Sequence, residues 1–325
     1  MNNTLLVTGG AGYIGSHFCK YAKQQGYNVV VYDNLSSGRK EFVKWGELII
    51  GDLNNYNLLN ETFRKYKPMA VIHFAASIEV GESVINPYKY YDNNVVNTLN
   101  LLKAMLENDV KNIIFSSTAA IFGMPKNDII NENTEQNPIN PYGQSKLMVE
   151  KILEDFNKAY NINYTALRYF NASGCDPDGE LGEVHEPANH LISIVLERYK
   201  AGKEISVFGG DWNTRDGTCI RDYIHVCDLA SAHILALKKM LETKESKKIN
   251  LGTGIGFSVL EIIKTAEKVV NDKINYKIVD RREGDPETLI CDSTFAQQYL
   301  GWKIQYDNVN DHITHAWNWV KNWKK

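Results

Sequence analysis

The stretch LLVTGGAGYIGSH, residues 5–17, constrains the fold more than any other part of the chain. An apolar run ends in glycines and passes at once into a helical pattern. Gly10-x-Gly12-x-x-Gly15 spans the junction, with Gly9 directly ahead of it. One residue without Cβ permits a tight turn, a second lets the backbone approach a pyrophosphate, and a third lets the new helix pack against the strand. The helix start then offers N–H groups without intrahelical acceptors, and a partial positive charge, to phosphate oxygens. The spacing alone is common; the strand before it and the helix after it give it force. Gly9, Gly12 and Gly15 are thus expected to cradle a dinucleotide.

The strand ends that follow carry polar groups suited to the same ligand. NVVVYD (28–33) ends in Asp33, whose carboxylate is placed to accept from the adenosine ribose hydroxyls and to repel a 2′-phosphate. NAD is therefore favoured, with Arg39 and Lys40 keeping NADP as an alternative. Asp52, after ELIIG, is placed near the adenine, and Phe74 and Ala75, after MAVIH, are placed to line the crevice. For Asp52 and Phe74 a strand-end cap and simple core packing are equally available readings.

Short β-branched runs at 4–9, 28–33, 47–52, 69–76, 111–117 and 164–170 alternate with helical patterns, including a long one over 87–107 and another carrying Tyr142. That rhythm predicts an α/β fold, a Rossmann-type doubly wound parallel sheet with crossover helices on both faces. VVVY and VIHF are apolar on both faces, as buried parallel strands require. Beyond residue 171 the rhythm loosens into Gly- and Pro-containing loops and helices near 188–201, 226–242, 258–270 and 307–323. This predicts a dinucleotide-binding domain over 1–170 and a smaller C-terminal α/β lobe over 171–325, interleaved where the lobe lends a strand to the sheet. NNYNLLNE reads as a biased surface turn and helix, and AWNWVKNW as an amphipathic packing helix.

Composition narrows the class. A net charge of −3 over 325 residues gives no reason to expect nucleic acid or an anionic membrane as partner. No apolar run reaches membrane-spanning length, and the N-terminus lacks the pattern of a secretory signal. Five scattered cysteines without a Cys-x-x-Cys pair point to reduced thiols and a cytoplasmic location. His312 and His315 in DHITH have no companion carboxylate or thiol at ligand spacing, so no metal is expected.

NPYGQSKLMVEK (140–151) sets Tyr142 and Lys146 four residues apart, on one helical face, just after Pro141. A phenol titrates near 10 and is a poor base at neutral pH. A neighbouring ammonium, the positive end of the helix dipole and a bound nicotinamide would each favour the phenolate. Such a phenolate suits removal of a proton from a sugar hydroxyl. Upstream, FSSTAAIFG ends a strand in Ser116, Ser117 and Thr118, a hydroxyl source for the same substrate oxygen.

Together TGGAGYIGSH, SSTAAIFG, PYGQSK and LRYFNASG resemble the extended short-chain dehydrogenase/reductase superfamily. VGESVINPYKYYDNNV, DGTCIRDYIHVCDLA and RREGD make the chain similar, over nearly its whole length, to the UDP-glucose (UDP-galactose) 4-epimerase family. The resemblance implies that Tyr142 takes the proton of the sugar 4-hydroxyl while hydride leaves C4 for tightly bound NAD. The 4-keto sugar then rotates and takes the hydride back on its other face. Lys146 would tune Tyr142 and bind the nicotinamide ribose, and Thr118 would hydrogen-bond the 4-oxygen. The family's cofactor contacts fall on Tyr13, Ile14, Asp33, Asn34, Asp52, Leu53, Phe74, Ala75, Asn93, Lys146 and Tyr169. Its nucleotide-sugar contacts fall on Asn171, Leu191, Phe208, Arg221 and Tyr223, with Arg281 and Asp285 near the diphosphate. Arg221 also makes independent sense as a bidentate diphosphate ligand, its alternative being an ion pair with Asp222 or Asp216. The implied assembly is a homodimer through the 87–107 and Tyr142 helices, which could instead pack inside a monomer.

Three departures stand out: Thr118 replaces a serine, Ile78 replaces a lysine that contacts the cofactor, and Leu289 occupies a position where side-chain size bears on N-acetylated sugars. A dehydratase would need proton-transferring groups where this chain has Ala119 and Ala120. A UDP-pentose or UDP-N-acetylhexosamine epimerase remains the nearest rival. A non-catalytic NAD or nucleotide-sugar sensor would have little use for Thr118, Tyr142 and Lys146 together.

Overall fold

The computed structural model describes residues 3–184, 188–282 and 284–323. Its first half runs β1 (Thr4–Thr8), α1 (Tyr13–Gln24), β2 (Asn28–Asp33), β3 (Glu47–Ile50), α2 (Tyr56–Tyr66) and β4 (Ala70–His73). Short helices α3 (Val80–Ile85) and α4 (Pro87–Tyr91) lead to α5 (Asn97–Glu107) and β5 (Asn112–Thr118). β6 (Ile129–Ile130), α6 (Pro141–Tyr160), β7 (Asn163–Tyr169) and β8 (Asn171–Ser173) follow. The later elements are α7 (Leu191–Lys200), β9 (Ile205–Phe208), β10 (Ile220–His225), α8 (Val226–Thr243), β11 (Lys247–Leu251) and β12 (Gly256–Ser258). The chain then adds α9 (Val259–Val270), β13 (Tyr276–Val279), β14 (Thr288–Cys291), α10 (Thr294–Leu300) and α11 (Val309–Asn322).

Seven strands form one sheet in the order β11-β7-β5-β4-β1-β2-β3. β1 runs parallel to both its neighbours, with Val7 opposite Val31 on one side and Ile72 on the other. The chain order reverses at β1, so a crevice opens at its carboxyl end, which is where ligands bind in open sheets of this kind. The apolar runs read from the sequence fill the core on one face of this sheet, where Leu6, Phe63, Leu101, Ile113 and Val149 are buried together. β11 joins the edge of this sheet from the later half of the chain.

The helix expected over 87–107 is interrupted. A π turn over Asp92–Val96 separates α4 from α5. It rotates the side chains of Asn93 and Asn94 toward Ser77, to which both bond. Periodicity alone does not show such a turn, because the apolar spacing on either side is nearly preserved.

The chain forms two compact units. One comprises residues up to Phe122, Gln136–Arg168 and Ala230–Ile249; the other comprises Gly123–Glu135, Tyr169–Leu229 and residues from Asn250 onward. One join, Arg168/Tyr169, lies close to the division expected after residue 170, and the segments 123–135 and 230–249 cross that division. In the second unit β12, β10, β14 and β6 lie side by side, β8 pairs with β10, and β9 pairs with β13. Trp319 of α11 is buried and stacks on Trp323, as a packing helix should.

Candidate active site

The glycine loop has the geometry of a cradle for a ligand that approaches the backbone. Gly9 lies at φ +73°, and a Cβ there would sit 2.5 Å from the amide nitrogen of Ala75. A Cβ on Gly15 would run into the carbonyl oxygen of Gly9. α1 starts with Gly12 at its N-cap position, without a side-chain cap or an acidic residue in its first turn, so Tyr13, Ile14 and Gly15 form its first turn. No acidic side chain of that turn competes with an anion for the helix dipole.

Asp33 accepts from the Ala11 N–H at 2.9 Å and from the Leu35 N–H at 2.8 Å. Burial raises its pKa while these two bonds oppose the shift. A carboxylate has about four acceptor positions, so Asp33 can pin the glycine loop and still accept from a ribose. Asn34 donates to Asp52 at 2.6 Å, and Asp52 also accepts from the Asn54 N–H, which makes Asp52 a strand-end cap as well as a candidate contact. Leu53 is buried, and Phe74 packs on His233 with ring centres 4.9 Å apart. Asn93 donates to the Ser77 hydroxyl at 3.2 Å, and Tyr169 ends β7. The residues gathered at the end of β1 fit a dinucleotide: a cradle that side chains would fill, a helix start and a carboxylate one strand away.

Thr118, Tyr142 and Lys146 are brought together by β5 and α6. Pro141 starts α6 and Asn140 caps it, accepting from the Gly143 N–H at 2.8 Å. A Cβ on Gly143 would lie 2.5 Å from the Ala120 carbonyl oxygen, so glycine lets the helix start approach the end of β5. The Thr118 hydroxyl accepts from the Ala120 N–H at 3.1 Å and stands close enough to Tyr142 to favour its phenolate. Lys146, buried, donates to the Ser116 carbonyl at 2.8 Å.

The electrostatics correct one expectation. Burial raises the Tyr142 pKa, the Thr118 hydrogen bond lowers it, and Glu79 raises it further, with a net upward shift. Burial brings Lys146 down to about 7. Lys146 is thus only partly charged at neutral pH and is directed at a backbone carbonyl. It does not by itself make the phenol acidic; only added positive charge in the crevice would reverse the shift.

The second unit holds a cavity of about 940 Å³, and Asn171, Leu191, Phe208, Arg221, Tyr223 and Asp285 line it. Asn171 lies opposite Tyr223 in the β8–β10 register and donates to the Asp222 carbonyl at 2.8 Å. Arg221 approaches Asp285 at 3.6 Å. It does not take up the ion pair with Asp222 or Asp216 that its sequence neighbours offered. Asp222 accepts from Thr253, Gly254 and Cys291, and Asp216 from Thr218 and Ser258.

Arg281 is not brought to this cavity. It stacks on Trp212 at 4.0 Å and bonds Asp211 at 2.7 Å. The neighbouring Arg282 lines the cavity instead, over the Phe208 ring at 4.3 Å. Consecutive loop residues point in different directions, and two adjacent arginines gave the sequence no means of choosing. Leu289, on β14, lies opposite Arg221 in register and is not among the cavity residues.

A glycine loop at the end of β1, with a tyrosine and a lysine on a helix beside a hydroxyl-bearing strand end, defines a nucleotide-dependent enzyme of sugar-hydroxyl chemistry. Residues 5–252 match the model of the NAD dependent epimerase/dehydratase family, and the chain belongs to that family. Within it, the UDP-glucose 4-epimerase of Rhizobium meliloti (strain 1021) is 49% identical over 320 residues, covering 98% of this chain and 97% of the relative. The crystal structure of the UDP-glucose 4-epimerase from Brucella ovis in complex with NAD superposes with a TM-score of 0.95 at 47% identity, covering 97% of each chain. That of the Bifidobacterium longum enzyme in complex with NAD⁺ and UDP gives 0.91 at 40% identity, covering 98% of each.

Proposed function

We propose that this protein is an isomerase that interconverts UDP-galactose and UDP-glucose at C4 and holds NAD throughout the cycle. The observation that carries the reading is the Thr118–Tyr142–Lys146 set, built by β5 and α6 in the same unit as the glycine cradle. Identity near half over nearly the whole length of named UDP-glucose 4-epimerases supports the choice of reaction.

In this reading Gly9, Gly12, Tyr13, Ile14 and Gly15 hold the pyrophosphate, and Asp33 and Asn34 hold the adenosine ribose. Asp52, Leu53, Phe74, Ala75, Asn93 and Tyr169 complete the cofactor contacts. NAD held there would supply a hydride acceptor for C4 and, once reduced, a hydride donor for the return. Tyr142 removes the 4-hydroxyl proton in one direction and gives it back in the other. Thr118 orients the reacting oxygen. Lys146 holds the nicotinamide ribose. Asn171, Leu191, Phe208, Arg221, Tyr223 and Asp285 bind the nucleotide sugar, with Arg282 taking the diphosphate role first given to Arg281. The first unit is the NAD-binding domain and the second the nucleotide-sugar domain.

The test is proton NMR of purified protein with UDP-galactose and no added NAD. Appearance of UDP-glucose is expected; its absence in protein that contains NAD overturns the substrate assignment. The same assay with UDP-N-acetylgalactosamine reads the sugar range.

The quaternary reading is a homodimer. Val84, Ile85 and Tyr88 are 63%, 86% and 77% exposed, and Val96, Leu99 and Met148 add to the apolar surface of α3–α6. An apolar face of this kind on a helical layer calls for a partner, and a second copy of the chain supplies a matching one. Light scattering should give twice the chain mass; a monomer that Ile85→Asp leaves unchanged would refute it. Among the described residues no helix is long and apolar enough to cross a membrane, and all five cysteines are free thiols. The free thiols support a cytoplasmic location.

A further inference from the structure

Tyr142 and Lys146 are two members of a longer stripe. Glu150 lies one further turn along α6, at the same four-residue spacing, and its side chain is fully buried. The three residues meet three consecutive residues of β5. Tyr142 faces the Thr118 hydroxyl, Lys146 donates to the Ser116 carbonyl, and Glu150 accepts from the Ser117 hydroxyl at 2.6 Å. Residues at i, i+4 and i+8 drift slowly around a helix, so this seam meets the strand at one azimuth only. Rotation or sliding of α6 that spared one rung would break the others.

The Glu150 rung is the stiffest of the three. Its carboxylate also takes a bidentate pair from Arg168 of β7, at 2.9 Å and 2.6 Å, and both side chains are wholly shielded from solvent. Lys248 of β11 stands 3.7 Å away. One carboxylate therefore ties α6 to three adjacent strands. A pair of this kind is costly to desolvate, and an apolar pair of similar volume often does as well for stability alone. Its fixed two-pronged geometry supplies direction instead.

We infer that Glu150, acting through Ser117, is a positioning residue that sets the distance and angle between Tyr142 and Thr118. This rests on the proposed 4-epimerase reaction. Glu150 touches no substrate; it fixes the helix that presents the base and the strand that presents its hydrogen-bond donor.

Ser117→Ala is the decisive variant, because it removes one hydroxyl and leaves the Glu150–Arg168 pair intact. Wild-type conversion of UDP-galactose by NAD-bound protein is the control, and its absence would sink the reaction assignment rather than this inference. With the control active, Ser117→Ala should lower kcat about tenfold or more at unchanged KM and NAD content, while the loss of one buried hydrogen bond lowers the melting temperature by a few degrees. A loosened Thr118 contact disfavours the phenolate, so the rising limb of kcat should move to higher pH. Glu150→Gln should share that displaced limb, whatever it does to the melting temperature. A Ser117→Ala enzyme with wild-type kcat and pH limb, or one that loses kcat, KM and NAD together without a displaced limb, overturns the inference and leaves Glu150 a purely structural group.

Discussion

On α6 the chemistry comes from one short stretch. Tyr142, Lys146 and Glu150 recur every four residues and meet Thr118, Ser116 and Ser117, respectively, on a single strand. The cavity of the second unit is put together from β8, β9, β10, the length of α7, the end of α11 and the loop holding Arg282 and Asp285. The α6 seam is buried and tuned by desolvation, as the falling Lys146 and rising Tyr142 pKa values show. The cavity relies on guanidinium groups that keep their charge in any surroundings. A base must change protonation state during turnover, so it needs a rigid environment that balances its two forms. A diphosphate site needs only fixed positive charge, which loops can supply.

This contrast predicts unequal losses. Tyr142→Phe should reduce turnover by about a hundredfold to ten-thousandfold, with NAD content and nucleotide-sugar affinity retained, as read by NMR conversion and by titration with UDP-galactose. Substantial residual turnover would place the proton transfer elsewhere.

The Lys146 shift gives a pH signature in cofactor-free protein. Below pH 7 folded and unfolded chains both carry the Lys146 proton, and the folded state bears the full cost of burying it. Between pH 7 and about 10 the unfolded chain binds one more proton, so wild-type stability rises with pH. The unfolding free-energy difference between wild type and Lys146→Met, read by denaturant titration, should move in the wild type's favour from pH 7 to about 9.5, by a few kcal/mol at most. A difference flat across that range would mean that Lys146 stays protonated when buried.

In the cavity the effect should fall on binding. Arg282→Ala should raise KM for the nucleotide sugar about ten- to a hundredfold with kcat largely kept. Arg281→Ala loses an exposed pair with Asp211 and a stack on Trp212, both away from the cavity lining, and should change KM by less than about threefold. Equal effects would erase the distinction between these neighbours.

The two regions also differ in how readily sequence discloses them. The parallel strands and the α6 stripe are legible because their signals are local: apolar runs of strand length, and a four-residue spacing behind an Asn-Pro helix start. β8 with β10, and β9 with β13, pair across about fifty and seventy residues with three or four residues each, and no local pattern announces such pairings. The Arg281/Arg282 choice turned on side-chain direction in a loop. The acidity of Tyr142 turned on burial, which opposes the neighbouring charge and is fixed only once the fold is formed. Glu150 was visible as a third member of the stripe, but only its contact with Ser117 gives it a role.

The smallest expected effect separates the regions most cleanly. Asn140 caps α6 through the Gly143 N–H at 2.8 Å, and Asn308 caps α11 through the Asn310 N–H at 3.0 Å. Replacing either cap by alanine should cost about 1 kcal/mol, a melting shift of a few degrees. The consequences for turnover should differ. Tyr142 is the second residue of its helix, so fraying there moves the base itself, and Asn140→Ala should lower kcat severalfold. The first turn of α11 carries no residue of the cavity, whose contributions from this helix come from Trp319 and Val320 near its far end. Asn308→Ala should therefore lose the same stability and keep kcat and KM. If Asn140→Ala also keeps kcat, then the close approach of Gly143 to Ala120, rather than the cap, holds the start of α6 in place.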